Sequence, residues 1–157
     1  MTDTPITTNA LYNALFGSTP SPVPNAIEIG TKTIKRKITH TVVSGEDSDD
    51  SVYVSRIFPG EYLVGINLVT NGLGASAGTG STIAVTVTDE ASSPTTTTVA
   101  AAADMDVTGQ AVSQLAYAGM YFTPAVGNGR VAIVHATGAP VVGKVVVGWI
   151  ELVRASA

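Results

Sequence analysis

His40 and His135 are the only imidazoles in the chain, 95 residues apart. Each falls within an alternating run that reads as a strand. His40 shares one side with Ile34, Arg36, Ile38 and Val42, and His135 follows Val131 and Ile133 inward. No third ligand or orienting acid stands at a recognisable spacing from either, so the two predict structural histidines rather than metal or acid–base chemistry. The serines lack a G-x-S-x-G context. NGLGASAGTG, residues 71–80, has no G-K-[ST] ending and lies between two strands, unlike a phosphate cradle. The densest set of ligand atoms is EDSDD, residues 46–50, where Glu46, Asp47, Asp49 and Asp50 could offer oxygens to Ca²⁺. The D-x-D spacing matches the opening of a calcium loop, but the sixth-position glycine and the distal glutamate are missing. Charges this dense read as a solvated turn. The sequence predicts no catalytic residue, no cofactor and no metal site.

The elements around these residues are β-rich. Threonine and valine occur 21 times each in 157 residues, and charged residues make up only 13% against a typical ~25%. In TKTIKRKITHTV, Thr33, Lys35, Lys37, Thr39 and Thr41 form a solvent face opposite the Ile34–Val42 face. Arg36 interrupts that second face, where an unpaired guanidinium is costly; it either reaches water at the sheet's end or pairs with an acid. VYVSRIF ends at Pro59-Gly60, a turn pair. EYLVGINLV predicts Tyr62, Val64, Ile66 and Leu68 on one side, and TIAVTVTD points Ile83, Val85 and Val87 inward. ASSPTTTTVAAAADMD reads as a loop whose threonines could form an outer-edge strand. GRVAIVHA and KVVVGWIELV close the chain. The last strand is apolar on both faces, with Val145, Val147 and Trp149 opposite Val146, Ile150 and Leu152. It must therefore be central, lie under a helix, or face another chain. Six or seven strands predict an all-β sandwich or small barrel.

Two helices are expected. In TGQAVSQLAYAG, Val112, Leu115, Ala116 and Gly119 recur at helical spacing, with Thr108 as cap and Gly119 as stop. The other belongs to an N-terminal arm, residues 1–26, ahead of a β-domain at 27–157. With Thr8 as cap and Gly17 as stop, Leu11, Tyr12, Leu15 and Phe16 form one apolar stripe. So short a helix needs its stripe buried, and STPSPVPN behind it favours an extended course. The stripe either folds back on its own domain or docks on a neighbouring subunit or host surface, and a proline-rich spacer suits reach.

A net charge of −4 with scattered basic residues argues against nucleic acid as a partner. The three-residue run KRK at 35–37 reads as a strand's solvated face. The absence of cysteine fits maturation in a reducing cytoplasm. No basic leader with an apolar stretch opens the sequence, and VVVGWIELV, broken by Glu151, is too short to span a membrane.

The stretch DDSVYVSRIFPGEYLVGINLV, an acidic turn followed by S-V-Y-V-S-R-I-F-P-G and an apolar strand ending in N-G, resembles the small capsid-associated proteins of tailed bacteriophages: head decoration, cement or head-fibre base proteins. The later order is also similar, with a strand ending in Asp89, a threonine- and alanine-rich loop, M-D-V-T-G and the closing V-V-V-G-W-I-E-L-V. The resemblance covers residues 30–153 and leaves out the arm. It implies a jelly-roll-like sandwich, often a homotrimer, on the capsid exterior of a virion assembled in the host cytoplasm, bridging subunits of the major capsid protein. The role implied is mechanical and non-enzymatic. An alternative is a receptor- or glycan-binding head domain of a phage fibre. Of the nine aromatic residues, Tyr53, Tyr62 and Trp149 read as buried. Tyr117, Tyr121 and Phe122 cluster as either a sugar-stacking platform or a packing seam.

Overall fold

A computed structural model describes residues 33–74 and 80–154. The expected arm, with Leu11, Tyr12, Leu15 and Phe16, lies outside the described residues. Eight strands follow in order: β1 (Thr33–Thr41), β2 (Ser51–Ile57), β3 (Glu61–Asn71), β4 (Thr82–Asp89), β5 (Thr96–Asp104), β6 (Thr108–Val112), β7 (Gly129–Thr137) and β8 (Val145–Arg154). They form two antiparallel four-stranded sheets, β1-β8-β3-β6 and β2-β7-β4-β5. Successive strands cross between the sheets, except for β4 and β5, which pair within the second sheet; this is the order of an eight-stranded jelly roll. The sandwich is as expected, with one strand more.

Alternation builds the core. Ile38 and Val42 of the first sheet, with Leu68, Val146, Ile150 and Leu152, meet Ile83, Val85, Val87, Val131 and Ile133 of the second, all buried. β8 is central in its sheet, as its two apolar faces require. Its outward Val147 is left exposed, and Lys35 lies 5.0 Å above the ring of Trp149. The threonine-rich β5 is an edge strand, and it extends through the alanines to Asp104.

Three expectations fail for identifiable reasons. Strand β3 carries a register shift between Leu63 and Gly65, so Glu61 and Leu63 point inward while Tyr62 and Val64 are half-buried on the other side. One inserted residue reverses the facing of everything on its far side. Tyr53 is not buried but 54% exposed, with Arg130 over its ring. The expected helix at 108–119 is instead strand β6, an extended link and a single 3-10 turn, Tyr117–Gly119. Gly109 sits at φ 91, outside the helical region, and β6 pairs with β3 through Leu68–Val112 and Val69–Ala111. A helix there would leave the β3 edge unpaired, and the apolar residues at helical spacing are few. The Thr108 hydroxyl donates to the Asn71 carbonyl across the sheet rather than capping.

At Gly148, a Cβ would overlap the carbonyl oxygen of Asn67 and crowd Leu68 on the adjacent β3. Gly148→Ala must push two central strands apart, and chemical denaturation is expected to show a loss of about 3 kcal/mol, at the upper end of overpacking costs.

Candidate functional site

The jelly roll has an open side where β1, the edge of one sheet, lies beside β2, the edge of the other. Two charged clusters occupy this seam, each built from an inward-facing residue of β1 and an acid supplied by a turn.

The first answers the question of Arg36. Phe58-Pro59-Gly60-Glu61 is a tight turn closed by the Glu61 N–H donating to the Phe58 carbonyl at 3.0 Å, with Gly60 at φ 80. It delivers Glu61, whose side chain is 0% exposed, to Arg36 in a two-pronged pair, both contacts 2.6 Å. Arg154 adds a bond at 2.8 Å and the Phe58 N–H another at 2.9 Å. Arg36 also donates to the Arg56 carbonyl and lies over the Phe58 ring, so it joins β1 to β2. Burial alone would raise the carboxyl pKa of Glu61, but the hydrogen bonds and the adjacent guanidinium outweigh it and hold it at about 2. With every lone pair engaged by permanent cations or backbone, this cluster is a clamp.

The second cluster is the candidate site. Alternation along β1 points His40 inward beyond Ile38, and alternation along β7 does the same for His135 after Ile133. Between β1 and β2 the acidic turn folds back. The Val43 N–H donates to Glu46 Oε1 at 2.8 Å, and Gly45 takes φ 97 to allow the reversal. Glu46 Oε2 then meets both imidazoles, His40 Nε2 at 2.8 Å and His135 Nε2 at 2.9 Å. The side chains of His40, Glu46 and His135 are 11%, 9% and 1% exposed, and the two rings sit 6.4 Å apart and tilted. Burial pushes the Glu46 carboxyl up. The bonds from Val43, His40 and His135 more than offset it, so the group sits below its ordinary value. An ionised carboxylate only accepts, so both rings present Nε2–H to it. The backbone locks His135 in place: its N–H donates to the Asp50 carbonyl, and its carbonyl accepts from Asp49.

The two histidines expected to be separate structural groups therefore share one oxygen. Of the four acids in EDSDD, Glu46 turns to the histidines. Asp47 and Asp50 accept N–H groups within the turn, from Ser48 at 2.8 Å and Asp47 at 2.7 Å. The signal in the sequence was the inward facing of both histidines; what was missing was that the β1–β2 crossover brings their strands to one seam.

No family model and no curated protein matches the chain. Two solved structures share its fold. One is a chain from the capsid of Ralstonia phage GP4, 15% identical with TM-score 0.68 over 88% of this chain and 92% of that one. The other is a chain from the cyanophage Pam1 capsid asymmetric unit, 22% identical with TM-score 0.57 over 96% of this chain and 99% of that one. Both likenesses span most of each chain's length.

Glu61 links stability to acid. Its pKa lies below the unfolded value of 4.5, so its contribution is complete above pH 4.5 and is lost as the pH falls towards 2. Thermal melts across that window are expected to show a loss on the order of 3 kcal/mol. Glu61→Gln should flatten this part of the profile while lowering stability at neutral pH.

Proposed function

We propose that this protein is a non-enzymatic structural component of a tailed-phage head, seated on the outside of the shell and bridging subunits of the major capsid protein. The observation that carries the reading is the likeness, over most of its length, to chains from two phage capsids. The surface supports it. Exposed apolar side chains stand at both ends of the sandwich: Tyr117, Met120 and Tyr121 beyond β6, and Val43 with Val142 beside the start of β8. Such side chains are the material of protein–protein contacts, and a small contact repeated over many copies gives a large collective effect. In this reading the arm is the anchor, with Leu11, Tyr12, Leu15 and Phe16 buried against the shell or a sister chain. The working unit is a homotrimer.

The aromatic pair favours a second reading, a glycan- or receptor-binding head domain. Tyr117 is 95% exposed and Tyr121, four residues on, 55% exposed, both available for stacking on a sugar ring.

Gradient-purified virions carrying this gene are expected to contain the chain in many copies, labelled on the head by antibody; labelling confined to a fibre tip would select the second reading. Replacing both Leu15 and Phe16 by Asp should leave the melting temperature of the β-domain within about 2 °C, while sharply lowering incorporation into heads. Undiminished incorporation would remove the arm as anchor. Light scattering of the purified chain should give the mass of three copies.

A further inference from the structure

We infer that His40, Glu46 and His135 form a binding site for a divalent transition-metal ion of the Zn²⁺ type, which staples the two sheets at their open seam. Three donors from three separate elements converge: an imidazole nitrogen from β1, another from β7, and a carboxylate oxygen from the turn between β1 and β2. All three atoms lie within 4.8 Å of one another. In a tetrahedral site with metal–ligand bonds of about 2.0–2.1 Å, the ligand atoms are roughly 3.3 Å apart. Each Oε2–Nε2 distance, 2.8 and 2.9 Å here, must therefore open by a few tenths of an ångström, within the reach of side-chain torsions. The rings converge through Nε2, and binding transfers each ring's proton from Nε2 to Nδ1, so both imidazoles remain neutral donors.

The donor set selects the ion. Two imidazoles and one carboxylate suit Zn²⁺, Co²⁺ or Ni²⁺, and not the all-oxygen shell that Ca²⁺ or Mg²⁺ takes. A single Glu46 charge against two neutral rings leaves net negative charge at the site. Asp47, Asp49 and Asp50 on the same turn add to the field that draws in a cation. The Arg36–Glu61–Arg154 cluster along the same seam carries two fixed cations on its acid and offers a metal nothing. The partial exposure of His40 and Glu46 leaves water a path to the remaining coordination position.

The test is calorimetry of the full-length, metal-free protein with Zn²⁺ at neutral pH, alongside Co²⁺ absorption spectra and thermal melts. The site predicts one Zn²⁺ per chain, a visible Co²⁺ band of low-symmetry coordination, and a rise in Tm on the order of 5 °C at about a hundredfold excess over Kd. His40→Ala and Glu46→Gln, both at the rim and less prone to unfold the core than a change at His135, should each weaken binding at least about tenfold. They should also abolish the Co²⁺ band. Absence of Zn²⁺ heat and of a Tm shift in the wild type overturns the inference. So does binding that survives both variants within about twofold, or an equal response to Ca²⁺, which would move the site to the oxygens of the turn.

Discussion

The fold rests on the burial of the two inner sheet faces against each other. Each strand of a sandwich can hide only every second side chain, so the inward series of β3, β4, β7 and β8 must be apolar and in register at once. Here that series is aliphatic almost throughout, with Ile83, Ile133, Ile150 and Leu152 completely hidden. The central strands carry it. Gly148 lets the β8 backbone lie against β3, and the register shift beyond Leu63 brings Glu61 inward where β3 begins.

The seam at β1 and β2 is where that rule meets solvent. Strand β1 continues the inward series but alternates its apolar residues with Arg36 and His40. At an edge the inner face is only half covered, and a long or amphiphilic side chain can pack its body inward while its head finds a partner. Both heads find carboxylates carried by turns, Glu61 and Glu46. The difference between the two lies in the cations. A guanidinium stays charged and holds its acid permanently, whereas an imidazole can give up its Nε2 proton and act as a ligand. One cluster can only clamp; the other has chemistry available.

Beyond the seam clusters and the turns, the strands of the jelly roll carry scattered charges, such as Lys35 and Lys37 of β1 and Glu151 of β8. The jelly roll also exposes threonine along the outer strands and apolar side chains at its ends. The fold itself is shared with chains of two phage capsids.

Alternation made the strands legible in the residues alone. The inward faces of β1, β4 and β7, the Pro59-Gly60 turn and the edge position of the threonine-rich β5 all follow from period-two patterning and turn chemistry, which are local. The sequence by itself thus determined an all-β chain and the sides on which His40, His135 and Arg36 lie. It misled at 108–119, where apolar spacing of a helical kind was overridden by the hydrogen bonds β3 needed from a partner, and at Tyr62 and Val64, where a bulge changed the facing. Tertiary structure alone decided that residues 40, 46 and 135 meet at one oxygen. That meeting depends on β1 and β7 belonging to different sheets joined across an edge, and the order of strands in space is set by how all eight bury one core together, a constraint that no single segment of sequence contains.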